Sequence, residues 1–212
     1  IANVREARAN PAVRAIVLRI DSPGGSSSAS DLIYRELAIS RTSTRPIVAS
    51  MSDLAASGGY YIALGADAII AQPGTLTGSI GVYTGKFVTA GTLAKLGANV
   101  ETTSVGAFAD LDSPDRRFSP AERAKVEASI QAVYDQFVEH AAESRHTTPE
   151  AIDAVAKGRV WTGAQAKARG DKAVVLSAQT HAAPFYERHG FSIDGEEFFE
   201  AGIAHINMQH TF

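Results

Sequence analysis

No cysteine occurs among the 212 residues, which excludes a disulfide framework and any thiolate metal site. That absence fits an oxidising compartment without requiring one. No uninterrupted apolar run approaches the ~18 residues of a membrane-crossing helix, so nothing reads as a span. A basic excess is also missing. The formal net charge is -3, which argues against a nucleic-acid partner, since binding phosphates depends on cationic side chains that release counterions. The sequence starts without Met and without a signal-peptide pattern, inside a helix-like stretch over 1–9 that Asn10-Pro11 closes. The expectation is an N-terminally truncated fragment, itself soluble, whose membrane anchor would have preceded it. Neither an internal repeat nor a low-complexity segment is present. What remains is ordinary globular composition, 45% hydrophobic and 20% charged, enough for one domain to one and a half.

The apolar, β-branched run over 15–20 reads as a buried strand. Asp21-Ser22-Pro23-Gly24-Gly25 then makes a turn, and a helix over 29–40 carries Leu32, Ile33, Leu37 and Ala38 on one face. A strand over 47–51, a helix over 55–64 beginning near Ser57, and a strand over 68–71 follow. Strand and helix alternating at this spacing predict a mainly parallel sheet with flanking helices. Residues 73–81 read as a small-residue loop, 92–96 as a helix and 100–103 as a strand. Ser119-Pro120-Ala121-Glu122 is a capping box with proline in the first turn. It opens a long helix whose stripe is Val126, Ile130, Val133, Phe137 and Ala141. Thr148-Pro149 starts a short helix, and Thr162 with Gln165 caps another that Gly170 ends.

Three small-residue loops carry the chemistry. Ala55-Ala56-Ser57-Gly58-Gly59-Tyr60-Tyr61 places a serine between tiny neighbours, after a strand and at a helix start. Small neighbours admit a substrate backbone, and the helix start offers free N–H groups and a positive dipole end to a developing oxyanion. A capping serine with a glycine packing point fits the same residues. Gly24-Gly25 lies after the preceding strand, so both loops leave at carboxyl ends, where ligands bind in open parallel sheets. Its N–H groups either complete an oxyanion hole or belong to a plain glycine turn. Thr77-Gly78-Ser79-Ile80-Gly81 either lines the same cleft or only connects elements.

Taken in order, DSPGG, AASGGYY and LTGSIGV, with RHTTPE at 145–150 and GRVWTG at 158–163, resemble the signal peptide peptidase A (SppA) family. These are serine–lysine peptidases of the crotonase/Clp-protease-like fold. The likeness spans about residues 1–170 and is greatest to the C-terminal half of the long, two-repeat bacterial form. It implies Ser57 as catalytic nucleophile, amides of Gly24, Gly25 and Gly58 as oxyanion hole, and Ser22, Pro23 and Ser79 along the substrate groove. It also implies a peptide substrate, no cofactor, a homo-oligomer, and a place on the periplasmic side of the bacterial inner membrane. A neutral lysine must serve as base. Short family members place it after the strand matching 100–103; here the stretch is Ser104-Val105-Gly106-Ala107-Phe108-Ala109-Asp110, without lysine. The long form draws it from the N-terminal half. The dyad is therefore incomplete in this chain, and assembly with a lysine-supplying domain is expected. Lys86 and Lys95 lie in the right region of sequence but read as solvated surface charges.

Composition changes after Gly170: five of nine Phe and four of six His lie beyond it. Residues of about 174–208 resemble the C-terminal segment of a GCN5-related N-acetyltransferase: strand, helix through Pro184-Phe185-Tyr186-Glu187-Arg188-His189-Gly190, then two strands. In that family the tyrosine matching Tyr186 often acts as general acid toward the coenzyme A thiolate. No glycine-rich pyrophosphate loop precedes the segment, so the tail alone makes no acetyltransferase. His181, His189 and His205 are too scattered for a metal site, and none is expected. The division is thus a peptidase-like domain over 1–170 and a small α+β fragment over 171–212, joined as a chimera or fusion near 170–174. A catalytically incomplete scaffold is the competing reading of the whole.

Overall fold

A computed structural model describes residues 1–40, 45–168, 173–179, 184, 187, 192–193, 196–200 and 203–211. The chain divides into two compact units, one of residues 1–81 with 137–212 and one of residues 82–136.

The first unit is built on a mixed, mostly parallel sheet. Its strands are β1 (Ile16–Ser22), β2 (Ile47–Ala56), β3 (Ala68–Ile70), β4 (Leu76–Gly78) and β5 (Val160–Thr162). The order is β1-β2-β4-β5, with β3 also on β2; only β5 runs antiparallel, against β4. Helix α1 (Ala2–Ala9) precedes β1. Helix α2 (Ser27–Ser40) links β1 to β2, and α3 (Gly58–Ala63) links β2 to β3. Alternation along β2 explains the core: Ile47, Ala49 and Met51 point to one face and are buried, while Val48, Ser50 and Ser52 on the other are only half-buried. Leu37 and Leu64 close over the buried face and are fully enclosed. Helix α1 buries none of its own residues, yet Arg5 reaches the enclosed Glu36 carboxylate on α2 at 2.7 Å and holds it below the usual carboxylate range.

Three expectations need correction. The buried face of α2 is Ser30, Tyr34, Glu36, Leu37 and Ser40, with Leu32 exposed. The face is rotated toward Tyr34, whose ring meets Tyr61 edge-on at 5.5 Å and stacks on His140 at 4.3 Å. Residues 73–81 contain a strand, β4, because Leu76–Gly78 finds a parallel partner in Leu54–Ala56. Residues 100–103 form no strand; this polar, exposed stretch has no neighbouring strand to satisfy its backbone groups.

The second unit holds α4 (Ala90–Lys95) and most of α5 (Pro120–Ser144), whose residues from 137 belong to the first unit. The capping box at the start of α5 forms as expected. Ser119 N–H donates to Glu122 Oε2 at 2.7 Å, and Glu122 N–H donates to Ser119 Oγ at 3.3 Å. Arg116 grips the same carboxylate at 2.6 Å through two nitrogens. Helix α6 (Pro149–Val155) is capped by Thr148 Oγ1, which accepts from Ala151 N–H. Helix α7 (Gly163–Ala168) begins with the Thr162–Gln165 box.

The tail contributes an antiparallel sheet of β6 (Ala173–Gln179), β7 (Ser192–Ile193), β8 (Phe198–Glu200) and β9 (Ile203–Thr211), each of the other three pairing β9. Tyr186, His181 and His189 lie outside the described residues. Among the described residues no helix is long and apolar enough to cross a membrane.

Candidate active site

Strand register gathers the three small-residue loops. Ser22 on β1 pairs Ala55 on β2, and Ala55 pairs Thr77 on β4. Because the three strands are parallel, the loops beginning at Pro23, Ser57 and Ser79 leave side by side at their carboxyl ends. The fixing bonds are local: Ser57 N–H donates to Gly78 O at 2.9 Å, buried Thr77 Oγ1 donates to Ala55 O at 2.9 Å, and Ser79 N–H donates to Arg159 O at 2.8 Å.

Ser57 stands between β2 and α3 with φ 51° and ψ -120°, a conformation costly for any residue with a Cβ. Its side chain makes no capping hydrogen bond. The capping alternative therefore fails at this serine: the geometry that would let Oγ reach back to the helix amides is not adopted. The residue is half-buried. Tyr61 N–H donates to Ser57 O at 2.8 Å, starting the helix directly from the serine.

The glycines are required by contact. A Cβ on Gly24, where φ is +105°, would lie 2.6 Å from Gly58 N and 2.7 Å from Ser57 Cβ. A Cβ on Gly58 would lie 2.5 Å from Ser30 Oγ and 3.3 Å from Gly25 N. The loop after β1 thus packs backbone to backbone against the serine turn. Its amides are not equivalent. Gly24 N–H donates to Ser22 Oγ at 3.1 Å and is occupied. The N–H groups of Gly25 and Gly58 have no partner among the described residues, and a Cβ added at Gly25 would meet nothing within 4 Å. Ser22 serves the turn through this bond, and Pro23 is exposed beside it. Ser79 also holds a positive φ of 51°. A hydroxyl beside two free amides can carry acyl transfer, provided a base removes its proton.

Lys86 is half-buried and bonded rather than the solvated surface charge expected. Its Nζ donates to Leu111 O at 2.7 Å and sits 4.4 Å from the centre of the Phe118 ring. Beside the serine turn lies a cavity of about 210 Å³ whose lining includes Tyr60, Gly78, Arg145 and Trp161. Arg145 Nε donates to Tyr60 Oη at 3.0 Å. This polar anchoring of α3 was missed at the sequence level. Arg145 fell within a matching motif, but nothing in its spacing tied it to Tyr60. Among the described residues no three His, Asp or Glu side chains gather as metal ligands.

The chain is similar to proteins of known kind. The family described as Peptidase family S49 matches residues 39–174, and the family described as Acetyltransferase (GNAT) domain matches residues 159–212. "Serine protease SPPA, chloroplastic" of Arabidopsis thaliana is 46% identical over 171 residues, covering 80% of this chain and 25% of that protein. "Protease 4" of Salmonella typhi is 44% identical over 167 residues, covering 79% and 27%. The chain therefore spans about a quarter of the length of these two relatives. Among solved structures, a ClpP1 mutant from Listeria monocytogenes superposes with a TM-score of 0.47 at 16% identity, over 80% of this chain and 81% of that one. A family match over residues 39–174, more than half of the chain and most of the residues that build the sheet, makes this chain a member of peptidase family S49.

Proposed function

We propose that residues 1–170 are the serine-bearing part of an endopeptidase that cleaves peptide bonds through an acyl-enzyme on Ser57. The observation that carries the reading is the state of Ser57. Its backbone is held at φ 51°, its hydroxyl caps nothing, and the amides of Gly25 and Gly58, without a partner among the described residues, belong to the two turns that pack together there. In the proposed reaction Ser57 Oγ attacks the peptide carbonyl and those two amides receive the oxyanion. Gly24 supports the hole by close packing, because its own N–H is taken by Ser22. Ser22, Pro23 and Ser79 border the peptide.

The base is a lysine from outside this site's own loops, since residues 104–110 contain none. We place that lysine on an associated domain or subunit. The exposed side chains Tyr83, Phe87 and Val105 support such an assembly, being 97%, 91% and 93% accessible. Residence at the periplasmic face of a bacterial inner membrane rests on family resemblance alone. The two family matches overlap at residues 159–174, which favours a fusion joined in that stretch to an acetyltransferase-like segment over 171–212.

An acylating fluorophosphonate probe tests the proposal on the assembled protein. Labelling that disappears in Ser57→Ala is the expected result. A folded assembly that takes no label, or takes equal label in Ser57→Ala, removes the nucleophile. The scaffold reading, favoured by the missing lysine at 104–110, would then stand.

A further inference from the structure

The peptidase reading leaves unused a polar cluster on the helix that follows Ser57. Tyr61 is buried, and its hydroxyl donates to Asp31 Oδ1 on α2 at 3.0 Å. Asp31 Oδ2 accepts from Arg35 Nε at 2.6 Å. His140, from the end of α5 that belongs to the first unit, completes the group. Its ring stacks on Tyr34 with centroids 4.3 Å apart and meets Tyr61 edge-on at 5.7 Å, and its Nε2 lies 4.0 Å from Asp31 Oδ1. Phe137 closes over Tyr61 at 4.8 Å. One carboxylate oxygen thus faces a tyrosine on α3 and a histidine on α5, while the helix carrying it begins directly after the glycine loop.

The placement gives the cluster leverage. Tyr61 N–H already holds Ser57 O, so whatever fixes the Tyr61 ring fixes the first turn of α3. Helix α3 has only six residues, too short to hold its own geometry without tertiary support. The strained Ser57 backbone persists only where its surroundings over-determine it.

We propose that Asp31, Tyr61 and His140 form a positioning network that clamps the first turn of α3, and so Ser57, to the helix following the Gly24-Gly25 loop, with His140 as its titrating member. The functional meaning rests on Ser57 as nucleophile; the clamp itself does not. Neutral His140 forms no ion pair with Asp31, whose Oδ1 accepts from the tyrosine hydroxyl. Protonated His140 competes for that same oxygen and loosens the tether. Burial lowers the proton affinity of His140, while Asp31, Glu143 and Glu139 raise it and Arg35 opposes them. Burial and the Asp31 bond together push the Tyr61 hydroxyl well above its ordinary value, so it stays a donor at every pH considered. With the imidazole disfavoured as a cation in the fold, tightness is full above about pH 6.5 and falls as the pH drops below it. His140 is a positioning residue and moves no proton to or from Ser57.

Amide hydrogen exchange on the whole chain decides the matter without any activity. In Tyr61→Phe and Asp31→Asn, peptides covering 57–64 are expected to exchange about tenfold faster than wild type, while peptides covering 47–51 are unchanged. No acceleration at 57–64, or equal acceleration in both regions, overturns the clamp. For wild type, exchange at 57–64 corrected for the chemical rate should quicken as pH falls from 7 to 5; in His140→Gln it should be flat. The same pH dependence in both removes His140 from the network. Probe labelling supplies the functional arm: Tyr61→Phe lowers the maximal labelling rate and leaves the half-saturating probe concentration unchanged. A wild type that takes no label sinks the nucleophile, whereas the exchange result still rules on the clamp.

Discussion

The two units hold themselves together by different means. In residues 1–81 and 137–212 a sheet and its helices bury a continuous apolar set running from Ile20 through Met51, Tyr61 and Leu64 to Phe137 and Ala141. Among the described residues of 82–136, the one buried side chain is the carboxylate of Glu122. That unit is organised by polar clasps: Arg116 between Asp110 and Glu122, Asp115 accepting from Thr102 and Ser113, and Lys86 on Leu111 O. Several of its large apolar side chains, among them Tyr83, Phe87, Leu96 and Val105, are exposed. A core fixes the geometry of its loops by exclusion of water. A clasped segment fixes only its own turns and leaves apolar surface for something else to cover.

The sharpest break in this contrast is Phe137→Ala. It removes a ring that is 3% exposed and touches Tyr60 and Tyr61, and should cost about 3–5 kcal/mol in denaturant unfolding. Gly24→Ala comes next. Backbone strain at φ +105° alone should cost about 1–3 kcal/mol, and the new methyl must displace the Ser57 turn, so probe labelling should fall further than stability does. Acid should then separate the units. Arg116 holds the Glu122 carboxyl well below the usual carboxylate range. Its stabilising contribution is therefore complete above about pH 4.3 and is withdrawn as the pH falls below that value, so exchange at 116–125 should accelerate there before exchange at 47–51 does. Phe87→Ala should be smallest, within about 0.5 kcal/mol for the unfolding of the chain, because 91% of that side chain is already in water. Its expected effect is on sedimentation, as weakened assembly. An unchanged oligomeric state would remove Phe87 from any interface.

What was legible in the sequence follows the same divide. Helix caps were readable at Ser119, Thr148 and Thr162, because capping is decided within four residues. Strands β1, β2 and β3 were readable as short apolar, β-branched runs, but the burial expected of β1 was not met: only Ile20 of β1 is buried, no residue of β3 is, and β2 alone carries buried residues along its length. Strand β4 was hidden, since Leu-Thr-Gly looks like loop until a partner strand supplies its hydrogen bonds. The expected strand at 100–103 failed for the converse reason, an extended sequence with no partner. At the site, the identity of Ser57 and its glycine neighbours was legible as small residues in order. The occupation of the Gly24 amide by Ser22 was not, nor was the Asp31–Tyr61–His140 group. Both depend on which way side chains face across separate elements. The turned face of α2 has the same origin: apolar spacing pointed to Leu32, whereas packing chose Tyr34.

The left-handed backbone of Ser57 has a consequence for how the protein is balanced. A residue without a side chain would sit at φ 51° at no steric expense, so glycine there would relieve the strain and, on the role proposed for Ser57, leave no nucleophile. On that proposed role, keeping a hydroxyl at this turn sets durability against reactivity at a single residue. A Ser57→Gly protein that melted above the wild type would display that opposition directly.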